Sequence, residues 1–166
     1  LLVNTSNSVQ QVDYQAVATL TVNGCASPIF NIVVFVNPLP IVTNGPVAIC
    51  SGDNVNTPIT ATLPSSFTWQ AQSNGGVTGE TTSIQNASTI NDVLVNPSTT
   101  AQIVNYDVIA TANASGCKGP LFTIPVTVNP LPNIGFDTGS GALCNLTPVP
   151  FNNTSDARLD FAWTFG

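Results

Sequence analysis

The five-residue sequence VNPLP occurs twice in this chain, at 36–40 and at 128–132. Proline fixes its own φ, lacks a backbone donor and pushes the preceding residue toward extended geometry. We therefore expect that the Asn-Pro-Leu-Pro part of each copy neither continues a helix nor lies inside a paired strand. We predict that both copies are stiff hinges between folded units, and the hinge residues are Pro38, Pro40, Pro130 and Pro132.

The similarity between the two parts of the chain extends beyond the hinges. The segment VDYQAVATLTVNGC (12–25) aligns without a gap on VNYDVIATANASGC (104–117), 92 residues later, which pairs Tyr14 with Tyr106. Such self-similarity at a fixed spacing is the signature of a repeat protein. A repeat of this length suits one small sandwich domain.

The repeat boundaries predict three units. Residues 1–36 correspond to the C-terminal part of a first repeat, 37–128 to a complete repeat, and 129–166 to the N-terminal part of a third. This division indicates a segment cut from a longer chain, with consecutive units joined end to end.

The composition indicates a folded, β-rich protein. Charged residues make up 6% of the chain and hydrophobic residues 43%, and 13 Pro and 12 Gly interrupt runs rich in β-branched residues. Alternating polarity predicts an all-β fold of tandem Ig-like antiparallel β-sandwiches, whose last two strands form a hairpin. In the complete repeat we predict strands near 47–50, 58–63, 67–71, 82–84, 92–95, 104–112 and 121–128.

The charge balance excludes two classes of partner. The formal net charge is -6, and Lys118 and Arg158 are the two cations. A nucleic-acid or anionic-membrane binder needs a basic surface, so we expect no nucleic acid as partner. No apolar run reaches 18 residues, so we expect no membrane insertion.

The four cysteines have no C-x-x-C spacing, which leaves disulfides or free thiols. Pairing Cys25 with Cys50, or Cys117 with Cys144, would have to bridge a strand, a hinge and a further segment. Cys50 and Cys117 are the only pair inside one repeat, and we favour this disulfide. One objection is that the segment containing Cys50 could run the length of the sandwich, away from Cys117. Oxidised cysteines would indicate an extracellular protein.

The aromatic residues are predicted to lie in the core. Trp69 and Trp163 each stand 19 residues after a cysteine and lie in alternating segments typical of a central strand. An exposed tryptophan could instead stack on a sugar. We predict Trp69, Trp163, Tyr14 and Tyr106 as core residues.

Catalytic chemistry is not indicated. The chain contains no His, which excludes Ser-His-Asp and Cys-His arrangements, and no phosphate-binding loop is present. The eight acidic residues are scattered and form neither a calcium loop nor a carboxylate pair. We therefore expect no enzyme activity, no cofactor and no metal, although calcium bridging at the hinge stays open as an alternative.

Several motifs together resemble a known kind of repeat. VNPLP, ICSGD (49–53), FTW (67–69), VTG (77–79) and VNYDVIATANASGC are similar to the PKD-like, Ig-like tandem repeats of giant surface adhesins from gliding bacteria that use type IX secretion. The segment PVPFNNTSDARLDFAWTFG (148–166) resembles the start of a PKD domain. The resemblance implies PKD-like sandwiches in a secreted, cell-surface stalk for attachment or gliding.

Three functions follow from the sequence. The first is a non-enzymatic structural repeat, a stalk or spacer of a large adhesin. The second is a subunit of an extracellular filament assembled by strand exchange, and the third is a carbohydrate-binding accessory module. The expected partners are neighbouring repeats of the same chain, with other copies in a filament and a surface polysaccharide or protein ligand as alternatives.

Overall fold

The computed structural model describes residues 1–137, 152–155, 160–162 and 164, and these residues contain strands and no helix. The strands are β1 (Gln10–Ala16), β2 (Phe30–Val36), β3 (Val47–Cys50), β4 (Thr57–Pro58), β5 (Ser65–Ala71), β6 (Thr89–Ile90), β7 (Gln102–Ala112), β8 (Phe122–Asn129), β9 (Phe136–Asp137) and β10 (Asn152–Asn153). The all-β prediction is confirmed.

The segment predicted as a complete repeat, 37–128 and called the complete repeat below, is built on a four-stranded sheet with the order β3-β8-β7-β5. β7 and β8 form the predicted antiparallel hairpin, and β5 pairs antiparallel with the other side of β7. β3 pairs with β8 in parallel, with Val47 opposite Val126 and Cys50 opposite Asn129. The sheet is therefore mixed, because the first and last strands of the repeat run side by side in the same direction.

A second layer covers one face of this sheet. It consists of β4 and β6 with isolated bridges between Val42 and Ala61, Asn54 and Val93, and Thr78 and Val95. Period-2 alternation in β7 and β8 points every second side chain into the space between the layers. The resulting core contains Val42, Val55, Ile59, Trp69, Ala71, Val77, Ile90, Leu94, Val104, Tyr106, Val108, Ala110, Ile124, Val126 and Val128.

Some strand predictions fail in this second layer and beside β5, where Gln85 forms a bridge with Trp69. The predicted strands at 82–84 and 92–95 are replaced by single bridges at Gln85, Val93 and Val95, and the strand at 58–63 shortens to β4 with a bridge at Ala61. An isolated bridge forms hydrogen bonds with only one or two backbone groups of each segment. Alternation in sequence cannot distinguish such contacts from a ladder.

Residues 1–36, predicted as the end of a first repeat and called the first repeat below, contribute a single hairpin. β1 and β2 pair from Gln10 opposite Val36 to Ala16 opposite Phe30. Within the described residues no further strand pairs with either of them. The face that is buried in the β7–β8 hairpin is therefore open to solvent in this copy.

Part of the segment predicted as the start of a third repeat, 129–166, is described. β9 and β10 pair antiparallel, and the rings of Phe136 and Phe161 meet edge to face with centroids 5.3 Å apart. Cys144 and the predicted core residue Trp163 lie outside the described residues.

Candidate functional site at the repeat junction

The first VNPLP copy is packed onto the complete repeat. Pro38 and Pro40 are both buried. A Cβ added to Gly119, in the connection between β7 and β8, would lie 2.0 Å from the carbonyl oxygen of Pro40. Only glycine permits this approach, so residue 119 and the proline segment form a fitted contact at the tip of the hairpin.

The residues that follow Pro40 anchor it further. The amide of Thr62 donates to the carbonyl of Ile41 at 2.9 Å, and the amide of Thr43 donates to the carbonyl of Thr60 at 2.9 Å. The side chain of Asn44 binds the same segment through Thr60 and Pro58. The chain is thus held by the second layer as soon as it leaves the junction.

The second VNPLP copy is less enclosed. Pro130 is half-buried and Pro132 is exposed. The two copies share a sequence but differ in their surroundings, because the first lies against a complete hairpin tip. A hinge role for the four prolines stays a prediction.

A cleft of about 500 Å³ lies between the first repeat and the complete repeat. One wall carries Asn7, Ser8 and Val9 with Asn37 and Pro38. The opposite wall comes from residues 63–64 and from 112–115, at the tip of the β7–β8 hairpin. The two repeats thus meet along this cleft next to the buried proline segment.

A buried polar cluster lies at the opposite end of the complete repeat. Asn96, only 4% exposed, donates through Nδ2 to the carbonyls of Val128 and Thr100, each at 2.8 Å. The amide of Asn96 donates to Ser51 Oγ at 2.9 Å, and the amide of Ser51 donates to the carbonyl of Asn129 at 2.8 Å. This cluster joins the end of β3 to the end of β8.

The first repeat contains the same side-chain arrangement 92 residues earlier. Asn4 donates through Nδ2 to the carbonyls of Ser8 and Val36, and its Oδ1 accepts from the amide and hydroxyl of Ser6. Asn96 makes the same contacts with Thr100, Val128 and Ser98. This role of Asn96 is not among the sequence predictions. The available signal was an Asn followed two positions later by Ser in both copies.

The core aromatic residues form a second buried network. The ring of Trp69 meets that of Tyr106 edge to face at 5.7 Å, and the Tyr106 hydroxyl donates to Asp92 Oδ2 at 2.8 Å. Asp92 also accepts from the amide and hydroxyl of Thr81. Burial, together with the hydrogen bond to Asp92 and its charge, raises the pKa of Tyr106 far above its usual value.

Trp69 and Tyr106 lie in the core, 5% and 0% exposed. Trp69 is therefore not placed to act as a sugar platform. Tyr14 differs from the core prediction and is 45% exposed, because nothing in the described residues covers the face of the β1–β2 hairpin that carries it.

The favoured disulfide between Cys50 and Cys117 is wrong. Both thiols are free, as is that of Cys25. Cys50 lies opposite Asn129 at the end of β8, whereas Cys117 precedes the start of β8 at the hairpin tip. At about 3.3 Å per residue, the strand separates the two by roughly 25 Å, far beyond bonding distance.

No metal-binding cluster is found in the part of the chain that the structure describes. These residues contain no cluster of three or more Cys, Asp or Glu that could hold a metal ion. The acidic side chains with defined contacts serve the fold: Asp107 accepts from Gln72 and Thr123, and Asp92 accepts from Tyr106. Among the described residues, no helix is long and apolar enough to cross a membrane.

Two packed β-layers, a mixed sheet and a series connection through prolines define an Ig-like β-sandwich repeat. A family model described as PKD-like domain matches residues 47–132, just over half of the chain. The chain therefore belongs to the PKD-like domain family. No match to the chain was found among curated proteins. PKD-like domains of this Ig type are generally non-catalytic, usually extracellular, and typical of structural or adhesive modules.

Proposed function

We propose that this chain is a non-enzymatic stalk or spacer segment of a large secreted adhesin on the cell surface. Its role would be in attachment or gliding motility, and its export would use type IX secretion. The observation that carries the proposal is the serial repetition. Two hairpins 92 residues apart share their register and side-chain contacts, and the proline segment that follows the first hairpin packs against Gly119 at the tip of the second.

The surface of the complete repeat supports a spacer role. The described residues contain no cluster of three or more Cys, Asp or Glu that could hold a metal ion, and buried polar side chains such as Asn96 stabilise loops and strand ends. The repeat begins at the hairpin tip beside Gly119 and ends at Asn129 at the other end of β8. Each added repeat would then extend the molecule by about the length of β7, roughly 35 Å.

Length measurements test the spacer proposal. A chain carrying a second copy of residues 37–128 after the first should exceed the original in maximum dimension by roughly 35–45 Å in small-angle scattering. Negative-stain images of several added copies should show beads at a regular spacing. A compact particle whose length does not grow with copy number would refute the proposal.

Cell experiments test the location and the adhesive role. Protease added to intact producing cells should remove the repeats, and deletion of the repeat region should reduce attachment or gliding without changing growth. Repeats protected from protease on intact cells would exclude a surface stalk.

Filament assembly by strand exchange is a second candidate, and one observation favours it. Tyr14 and Ile32 on the first hairpin are 45% and 43% exposed, whereas the equivalent Tyr106 and Ile124 are fully buried. A strand pair and covering layer from another copy would bury this face. Sedimentation should then show association that rises with concentration and is lost in a Tyr14→Asp, Ile32→Asp variant. A monomer at all concentrations would reject the filament.

A further inference from the structure

We propose that Cys50 and the cysteine at the hairpin tip of the following repeat form a disulfide across the junction between two consecutive repeats. The tip cysteine is Cys117 in the complete repeat and Cys25 in the first repeat. This pairing differs from a disulfide within one repeat, which the fold excludes because Cys50 and Cys117 lie at opposite ends. The inference rests on the proposed stalk, because only consecutive repeats bring the two thiols to one junction.

The junction between the first repeat and the complete repeat shows where a tip cysteine lies. The amide of Ala112 donates to the carbonyl of Cys117 at 2.9 Å, and Ala112 lines the cleft that faces the first repeat. Cys117 is half-buried, whereas Cys25 at the equivalent position is exposed. The two tips share their backbone hydrogen bonds, so the smaller exposure of Cys117 indicates that residues outside its hairpin cover it.

Asn37 lies on the opposite wall of the same cleft, at the end of the first repeat. Gly119 contacts the carbonyl of Pro40, and the chain leads from this contact toward the cleft on both sides. The hairpin reaches Cys117 two residues away, about 7 Å, and the proline segment reaches Asn37 three residues away, at most about 11 Å. The tip cysteine and Asn37 therefore lie at the same level of the junction.

Cys50 lies beside the residue that is equivalent to Asn37. Asn129 follows β8 as Asn37 follows β2, 92 residues earlier. The parallel pairing of β3 with β8 places Cys50 opposite Asn129, and neighbouring strands are about 5 Å apart. Cys50 is also exposed. At the junction that follows the complete repeat, Cys50 therefore belongs to the wall that faces the next hairpin tip.

The same arrangement accounts for the free thiols of this chain. Residues 1–36 form the β1–β2 hairpin and contain no equivalent of β3, so the described junction offers Cys117 no second thiol. Cys25 lies at the tip of the first hairpin, at the end away from this junction. A complete repeat carries one cysteine at each end, and each of the two would pair with a different neighbour.

The chemistry of the cross-link is thiol–disulfide exchange. The thiolate of one cysteine attacks a small disulfide such as oxidised glutathione and releases one reduced glutathione. The second cysteine then attacks this mixed disulfide, forms the bond between the two repeats and releases the other glutathione. An oxidising environment outside the cell supplies such oxidants. The covalent bond would fix the angle between two repeats that the proline segment alone only restricts.

A lengthened chain tests the pairing directly. A second copy of residues 37–128 inserted after the first creates a junction between two complete repeats. In one variant every cysteine is changed to Ser except Cys50 of the first copy and Cys117 of the second, which meet at this junction. The control keeps Cys117 of the first copy and Cys50 of the second, which lie at the two far ends. The two variants carry equal numbers of substitutions at equivalent positions.

In a glutathione redox buffer and at about 1 μM protein, the junction variant should form an intramolecular disulfide at least about tenfold faster than the control. The physical reason is that two thiols held at one junction have an effective concentration in the millimolar range. The mass of the monomer after alkylation without reductant measures the reaction. Equal rates in the two variants, or covalent dimers in place of a cross-linked monomer, would overturn the proposal.

The 166-residue chain provides a second test that needs no added repeat. Asn37→Cys places a thiol on the cleft wall, and Asn129→Cys places one at the equivalent position at the far end of β8. With Cys117 as the only other cysteine, Asn37→Cys should form an intramolecular disulfide at least about tenfold faster than Asn129→Cys. Equal rates would show that the hairpin tip does not face this wall, and would reject the cross-link even if the lengthened chain does not fold.

The cross-link and the stalk can fail separately. A disulfide in the lengthened chain, combined with a maximum dimension that does not grow with the added repeat, would keep the cross-link and reject the stalk. Growth in length without the disulfide in either test would do the opposite.

Discussion

The β1–β2 and β7–β8 hairpins are two copies of one local structure in two environments. Both have the same register, the same contacts of an Asn side chain with the end of the second strand, and a glycine with positive φ in the connection, 74° at Gly24 and 69° at Gly116. The amide of Leu20 donates to the carbonyl of Cys25 just as the amide of Ala112 donates to that of Cys117. The two hairpins differ in burial: every second side chain of β7 and β8 is buried, whereas the side chains of β1 and β2 are exposed or half-buried.

This difference shows which contacts depend on the rest of the sandwich. The hairpin register and its polar contacts are set within about 36 residues of the chain. The core is created when β3, β5 and the second layer cover one face of β7 and β8. Substitutions at equivalent positions of the two hairpins should therefore change the stability of the protein by unequal amounts.

The tyrosine pair should show the largest difference. Tyr106→Ala removes a fully buried ring and leaves Asp92 without one of its donors, which should lower the free energy of unfolding by about 3–5 kcal/mol. Tyr14→Ala should lower it by less than about 0.5 kcal/mol. Urea denaturation followed by tryptophan fluorescence measures both. Equal losses would mean that the first hairpin is covered in solution.

The hairpin tips should differ next. Gly119→Ser copies the residue of the first repeat, Ser27, but places a Cβ against the carbonyl of Pro40 and should cost about 1–3 kcal/mol. Ser27→Gly loses only exposed hydrogen bonds and should cost less than about 1 kcal/mol. Amide exchange should also show faster exchange near Ile41 in Gly119→Ser. Unchanged exchange there would show that the proline segment does not depend on this contact.

The asparagine pair tests the same hydrogen bonds at two degrees of burial. Asn96→Ala leaves the buried carbonyl of Val128 with one donor fewer and should reduce the unfolding free energy by about 1–3 kcal/mol. Asn4→Ala removes the equivalent bond to Val36 at a half-buried position and should reduce it by less than about 0.5 kcal/mol. Thermal denaturation of the two variants gives the comparison. A larger loss for Asn4→Ala would contradict the difference in burial.

Alkaline pH should weaken the complete repeat through Tyr106. Its raised pKa means that the unfolded chain loses this proton near pH 10 while the folded chain retains it. The contribution to stability is fully present below about pH 10 and is lost as the pH rises above that value. Urea midpoints between pH 8 and 11.5 should fall above about pH 10, and fall less in Tyr106→Phe. The same alkaline loss in both proteins would exclude Tyr106 as its source.

The two hairpin thiols should show the smallest difference. Cys25 is exposed and Cys117 is half-buried at the equivalent position. The thiol of Cys25 should therefore react with an alkylating reagent about two to five times faster than that of Cys117. Peptide mapping after timed alkylation without reductant measures both rates. Failure of either thiol to react before reduction would indicate a disulfide and contradict the free cysteines.

Some features of the fold could be predicted from the sequence and others could not. The hairpin formed by the strands predicted at 104–112 and 121–128 follows from alternation and turn residues, because both signals are local. The position of Trp69 in the core follows from the same alternation in β5. The strands predicted at 82–84, beside β5, and at 92–95, in the second layer, are wrong, since isolated bridges leave no periodic signal.

The local sequence therefore determined that this chain repeats, that it forms β-hairpins, and that the hairpin contacts recur 92 residues apart. Only the tertiary structure decided that β3 runs parallel to β8, that Cys50 and Cys117 lie at opposite ends, and that Tyr106 is buried while Tyr14 is exposed. The reason is physical. Register and turns depend on neighbours along the chain, whereas burial and strand order depend on segments that meet only after the chain has folded back on itself.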